Sequence, residues 1–232
     1  MRLDRFLAHA GLGTRKEVKD LLKSKVVEID GKIITSPAFQ VDEIEMTVTV
    51  NHQKIDYQEF HYFLLNKPKG YLSATEDAFT PTVLDLIHEP YRNLSPCGRL
   101  DKDTTGLMLI LDNGKLSHFL LSPVSHVEKE YLVTVNHQLK KELPELFLKG
   151  ITLDDGYQCL PSQLTIINET QAHVILKEGK YHQIKRMFEA LGYYVIDLHR
   201  ERMDTLTLGD LKEGEYRSLT DEEIEALLKH MR

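Results

Sequence analysis

The chain is predicted to be α+β: a small N-terminal αα-β unit, then a larger domain on a mixed, mainly antiparallel sheet. Three observations carry this. Two short helical patterns open the chain, and a hairpin signal follows them. A polar, aperiodic stretch at about 51–59 reads as a linker, which sets the expected domains at 1–58 and 59–232. Beyond it several strand patterns follow one another directly, which favours antiparallel pairing.

In the first unit, Leu3, Phe6, Leu7 and Ala10 recur at i, i+3, i+4, i+7, and Gly11 is placed to end that helix. Thr14-Arg15-Lys16-Glu17 has the capping-box form and opens a second helix, with Val18, Leu21 and Leu22 as its buried stripe. Val26–Ile29 and Lys32–Ile34 flank Asp30-Gly31, a hairpin turn. Ile44, Met46, Val48 and Val50 alternate with polar residues, which predicts a half-buried strand. Arg2, Arg5, Arg15, Lys16 and Lys19 lie in the two helices. Composition alone leaves open a solvated face or one that meets a polyanion.

In the second domain, strands are expected at 61–65, 71–75, 107–111, 129–136, 163–168, 172–177 and 193–198. Helices are expected at 82–88, 114–121, 138–148 (disturbed at Pro144), 181–191 and 221–230. Thr220 to Glu223 repeats the capping box. No repeat or low-complexity tract stands out.

Hydrophobic residues make up 41% and charged residues 28% of the 232, ordinary for a globular protein. No apolar run is long enough to cross a bilayer, and the start lacks a signal-peptide core, so a cytoplasmic protein with no membrane partner is expected. Cys97 and Cys159 stand far apart without a CxxC partner and read as free thiols. The net charge of −7 argues mildly against nucleic acid, but phosphate contacts follow local potential, so clustering matters more.

Three stretches could carry chemistry. Gly98 to Leu107 sets Asp101 between Arg99 and a Thr-Thr-Gly turn, just before an apolar strand. A calcium loop is excluded because its ninth and twelfth positions would be Leu109 and Asp112 and the flank reads as strand. A simple turn-forming Asp is the rival reading. Glu178 to Phe188 leads into a helix whose polar side collects His182, Lys185, Arg186 and Glu189. Lys129-Glu130-Tyr131-Leu132-Val133 alternates, placing Lys129, Tyr131 and Val133 on one face. Tyr131 is either an ordinary core aromatic or a ring that packs on a nucleobase. The eleven histidines are scattered, without metal-ligand spacing, and no glycine-rich phosphate loop is present, so no metal is expected.

The segments RLDRFLAHAG, TRKEVKDLLK and VVEIDGK resemble an S4 RNA-binding domain over roughly residues 1–50. NKPKGYLSA, GRLDKDTTGLMLIL, KEYLV and EGKYHQIKRMF stand in the order found in pseudouridine synthases of the RsuA type. HQIKRM followed by LHRERM is similar to the branch that modifies small-subunit rRNA; Thr105 departs from the Glu common there. The resemblance implies Asp101 as catalytic aspartate, Tyr131 as the ring stacked on the target base and Lys185 as the cation paired with the aspartate. It implies RNA contacts from Arg99, Arg2, Arg5, Arg15, Lys16, Lys19, Lys180, His182 and Arg186. It makes Asn66-Lys67-Pro68 part of the pocket wall. The implied reaction, uridine to pseudouridine in 16S rRNA, is redox-neutral and demands no cofactor. The implied partner is 16S rRNA or an assembling small ribosomal subunit, met by a monomer. The alternatives are a 23S rRNA synthase and a non-catalytic S4-type assembly factor.

Overall fold

The computed structural model describes residues 1–231. Its contacts divide the chain into two compact units: Met1–His61 with His88–Leu94, and Tyr62–Ile87 with the chain from Ser95 on.

The first unit has helices α1 (Leu3–His9) and α2 (Arg15–Lys23) and strands β1 (Val27–Ile29), β2 (Lys32–Ile33), β3 (Val48–Val50) and β4 (Gln53–Lys54), ordered β2-β1-β3-β4. Thr14 and Glu17 form the reciprocal cap of α2. Leu3, Phe6, Leu7, Val18, Leu22, Val27, Ile29, Val48 and Val50 make its core. Two expectations change here. The strand begins only at Val48, and residues 43–45 are a turn because Asp42 Oδ1 accepts from the Ile44 and Glu45 amides, both at 3.0 Å, and Ile44 is left exposed. Residues 51–54, read as linker, form a hairpin: Asn51 and His52 both take positive φ (50° and 64°), the pairing of a type I′ turn. A His at the second position hid that signal.

The second unit contains β5 (Tyr62–Lys67), β6 (Ser95–Pro96), β7 (Thr105–Leu111), α3 (Gly114–Leu121), β8 (Lys129–Val135), α4 (Leu143–Lys149), β9 (Gln163–Ile166), β10 (Gln171–Leu176), α5 (Gln183–Ala190), β11 (Val195–Met203), β12 (Leu206–Thr207), β13 (Tyr216–Ser218) and α6 (Asp221–His230). The sheet runs β13-β5-β7-β11-β8-β10-β9, with β6 on β7 and β12 on β11. Every pairing in it is antiparallel except β7 with β11. β5 and β7 are buried along their whole length, as strands covered on both faces must be. Residues 71–75 form no strand: Leu72 makes one bridge to Thr82 and residues 73–75 bend away. Residues 82–88 reduce to one 3-10 turn, Val83–Leu86. Pro144 sits in the first turn of α4, where a missing N–H costs nothing, so it starts the helix and does not disturb it. β6, β12 and β13 are too short to leave a periodic signal.

The Thr-Thr-Gly segment expected as a turn runs into β7 instead, and its glycine has a specific cause. Gly106 lies opposite Arg200 where β7 and β11 pair, at φ 103°, and a Cβ there would meet the Arg200 carbonyl oxygen at 2.3 Å. Only glycine lets the two backbones approach so closely. Gly106→Ala is expected to cost at least about 2 kcal/mol, read as a fall in thermal midpoint of roughly 4–8 °C.

Candidate active site

Asp101 leaves the sheet just before β7, in a loop fixed from below. Lys67, the last residue of β5, is fully buried. Its ammonium donates toward four carbonyl oxygens: Thr104 at 2.8 Å, Pro68 and Asp101 at 3.1 Å, and Lys102 at 3.4 Å. Burial pushes its pKa down to about 8, with Asp103 and Asp101 opposing. The amide of Gly70 donates to the Lys102 carbonyl at 2.8 Å, and Ser73 Oγ donates to the Leu100 carbonyl at 2.8 Å while accepting from the Leu100 amide at 2.9 Å. The NKPKGYLS segment therefore works as a clamp on the aspartate loop.

The Asp101 carboxylate meets two groups from the start of α5. Lys185 Nζ lies 2.9 Å from Oδ2 and His182 Nε2 lies 3.4 Å from Oδ1. Lys185 also donates to Asp103 Oδ1 at 2.7 Å. Burial, the largest influence on Lys185, lowers its pKa, but the Asp103 and Asp101 hydrogen bonds more than offset it, and the ammonium sits above its ordinary value. Burial pushes Asp103 up, yet Lys185 holds it below the usual carboxylate range. Lys185 is thus a permanent cation between two carboxylates.

A cavity of about 790 Å3 opens in front of Asp101, a size suited to a nucleoside. Asp101, Arg99, Tyr131, Lys180 and His182 line it, with Leu72, Leu176 and Leu198 supplying apolar wall. Tyr131 is half-buried and packs against the core under β8, β10 and β11. At the mouth the exposed Tyr181 ring stacks on His182, centroids 3.8 Å apart.

Sequence reasoning named the stretch from Glu178 to Phe188 but gave no role to the two residues that support this rim. Glu178 and Gln183 are buried. Glu178 Oε1 accepts from Gln183 Nε2 at 2.7 Å and the Leu160 amide at 2.9 Å, and Oε2 accepts from the Tyr157 hydroxyl at 2.7 Å. Gln183 Oε1 accepts from the Lys180 amide at 2.9 Å. This lets His182 hold a left-handed φ of 47° ahead of α5. The Glu178 carboxylate pushes the Tyr157 pKa up to about 12, so that hydroxyl stays a donor. Lys129 was only placed on a strand face, and Arg200 was unassigned. The one available signal was a charge on a strand face otherwise apolar.

The remaining expected residues divide. Arg186 does not reach the cavity: its Nε donates to Asp154 at 2.7 Å and its guanidinium pairs with Asp155 at 2.7 Å. In the first unit Arg2, Arg5, Arg15 and Lys19 line one surface hollow with Met1 and Asp4, while Lys16 is exposed outside it. Arg2 donates to the buried Asp4 at 3.0 and 2.9 Å, and Arg2 holds that carboxyl below its ordinary range. Thr105 donates to or accepts from His199 Nδ1 at 2.7 Å. The histidines are less scattered in space than in sequence: sheet register sets His173 Nδ1 3.0 Å from Glu201 and 3.6 Å from Glu130. Arg202 already bonds Glu130 there at 2.8 Å.

One cavity thus gathers a carboxylate held against a cation and a half-buried tyrosine. Residues 61–190 match the family model for RNA pseudouridylate synthase, and residues 1–46 match the S4 domain. The chain belongs to the RNA pseudouridylate synthase family. It is 42% identical to an uncharacterized RNA pseudouridine synthase, YtzG, of Bacillus subtilis strain 168, covering 98% of both chains. It is 42% identical to ribosomal small subunit pseudouridine synthase A of Escherichia coli K12 over 98% of this chain and all of that one. It is 43% identical to the Yersinia pestis protein of the same name, covering 97% of both. A crystal structure of a pseudouridylate synthase superposes with a TM-score of 0.69 at 36% identity, covering 98% of this chain and 99% of that one.

Lys67→Met is expected to leave the clamped carbonyls without their donor, at about 1–3 kcal/mol. The thermal midpoint should fall, and pseudouridine formation should fall further than global stability explains, because the Asp101 loop loosens. Full activity at a lowered midpoint would separate Lys67 from the site.

Proposed function

We propose that the protein converts one specific uridine of 16S ribosomal RNA to pseudouridine, acting on the RNA or on an assembling small subunit. The observation that carries the reading is the Asp101 carboxylate, 2.9 Å from Lys185 Nζ, at the wall of a cavity it shares with Tyr131. The full-length similarity to the small-subunit synthases of Escherichia coli and Yersinia pestis supports the 16S assignment. The enzyme works in the cytoplasm as a monomer. No helix among the described residues is long and apolar enough to cross a membrane.

The roles follow from chemistry. The bond from uracil N1 to the ribose breaks, the base turns, and C5 bonds to the same sugar carbon. Asp101 is the nucleophile, and it meets a base withdrawn from its stack. Closing uracil over the carboxylate removes water from around its charge; the Lys185 ammonium, 2.9 Å from Asp101 Oδ2, supplies the opposite charge that water no longer can. Tyr131 offers a flat face worth roughly 1–3 kcal/mol per stacked base. Arg99, exposed at the rim, stands where it can fill the gap the base leaves. Residues 1–58 act as the RNA-binding domain and 59–232 as the catalytic one. In the first, Arg2, Arg5, Arg15, Lys16 and Lys19 meet phosphate, with Lys180 and His182 meeting it at the cavity. Arg186 joins them only if its aspartates release it.

Asp101→Asn should abolish pseudouridine at the target in rRNA mapped from complemented cells, with RNA affinity kept. Lys185→Ala should lower turnover far more than affinity; equal losses would remove it from the chemistry. Replacing Arg5, Arg15 and Lys19 with Gln should weaken binding and flatten its salt dependence by about one unit of slope for each phosphate no longer neutralised, leaving single-turnover rate at saturation unchanged.

A further inference from the structure

Two buried cations on the cavity wall have no carboxylate partner. Lys129 and Arg200 lie on adjacent strands, β8 and β11, and both line the cavity that holds Asp101 and Tyr131. Lys129 is 6% exposed and Arg200 is 2% exposed. Lys129 Nζ donates to the Val127 carbonyl at 3.1 Å. Arg200 Nε donates to the Leu107 carbonyl at 2.7 Å, and Nη2 makes a long contact of 4.0 Å with Met108 Sδ. Among the described residues neither forms an ion pair. The carboxylates at hand are committed elsewhere: Glu178 to Tyr157, Gln183 and the Leu160 amide, and Asp204 to His230 at 2.9 Å.

This arrangement is costly for the free protein. Burial pushes Lys129 down to about 8, and the Arg200 charge pushes the same way, against weaker support from Cys97 and Asp204. It still carries its charge at neutral pH. Buried charges are normally paired, so two like charges side by side at a cavity wall call for a negative occupant. The strand alternation that turns Tyr131 toward the cavity turns Lys129 the same way, and Arg200 is the direct cross-strand neighbour of Tyr131.

We propose that Lys129 and Arg200 hold the negative charge that develops on the carbonyl oxygens of uracil when its bond to ribose breaks, an oxyanion hole for the detached base. The inference rests on the synthase reading of the site. When N1 leaves, the bonding pair stays with uracil and spreads over N1 and, through the conjugated ring, the two carbonyl oxygens, while the sugar carbon bonds to a carboxylate oxygen of Asp101. When C5 bonds to the sugar carbon, its bond to Asp101 breaks and frees the carboxylate, the pair on the base is used, C5 releases its proton and N1 takes one, so the product has the composition of the substrate. The charge exists only between these two events. A cation pair that meets it there lowers the barrier without tightening ground-state binding, and keeps the base from escaping.

The test uses the full-length protein and an rRNA fragment carrying the target uridine, in single turnover at saturating enzyme, beside RNA affinity and thermal midpoint. Lys129→Met should slow isomerisation about 100-fold, the loss expected when one oxyanion donor is removed. Its RNA affinity should change less than about threefold, and its midpoint should rise, because an unpaired buried charge is gone. Lys129→Arg, which keeps the charge, should recover most of the rate. Lys129→Met with an unchanged rate overturns the proposal. A rate that falls in step with RNA affinity and salt slope assigns the cations to a backbone phosphate and also overturns it. A lowered midpoint with no recovery by arginine makes Lys129 structural. Asp101→Asn run in parallel separates the two levels: if that variant keeps activity the synthase reading itself fails, whereas active Lys129 variants beside an inert Asp101→Asn sink only this inference.

Discussion

The Lys67 ammonium is the fixed point of the catalytic unit. A loop that must present a carboxylate to a cavity is a poor candidate for rigidity, because its own backbone carbonyls need donors that a sheet no longer supplies. Lys67 supplies them from one buried atom at the end of β5, reaching residues 68, 101, 102 and 104. Because β5 pairs with β7 along six residues, the donor and the strand that follows the loop share one frame. Gly106 then allows β11 to close on β7, which brings the Arg200 backbone beside the same loop. Strand pairing, not loop composition, decides where Asp101 points.

The electrostatics follow a consistent division. At Asp101 the cation is shared: Lys185 touches two carboxylates and is held charged. Deeper on the cavity wall the cations are alone. On the first unit the hollow formed by Arg2, Arg5, Arg15 and Lys19 has one buried carboxylate, Asp4, which orients Arg2 without neutralising the rest. A net charge of −7 is therefore compatible with an RNA partner, since the attraction is concentrated at two surfaces and the excess acid lies elsewhere.

Much of this was legible in the sequence, for reasons that can be named. The caps of α2 and α6 are local hydrogen-bond patterns four residues long, and both formed as read. The continuous apolar run of β7 is too short for a helix and follows a Thr-Thr-Gly segment, which fits a strand covered on both faces. Asp101, Tyr131 and Lys185 were found through motifs, and the fold brings the aspartate and lysine within bonding distance. What was missed depends on contacts far apart in the chain. Glu178 is ordinary in sequence and becomes a buried acceptor only because Tyr157, Leu160 and Gln183 arrive around it. Ile44 to Thr47 alternates like a strand, but the Asp42 side chain claims the Ile44 and Glu45 amides first and Asp30 claims that of Thr47. Arg186 looked like a free cation beside Lys185, yet helix geometry turned it toward Asp154 and Asp155.

The same comparison shows how function distorts the unit. A sequence selected only for stability would place leucine or methionine at 129, where the β8 alternation calls for an apolar side chain beside Val133 and Val135. It would pair Arg200 with an acid or remove it. The chain does neither, and it retains a backbone approach at residue 106 that tolerates no side chain. These departures from the rules that govern the rest of the sheet fall on strands β7, β8 and β11, around one cavity. A rule broken at one isolated position is an accident of sequence. Rules broken together around a cavity, each in the direction of added positive charge or closer backbone, describe a site built to receive something negative.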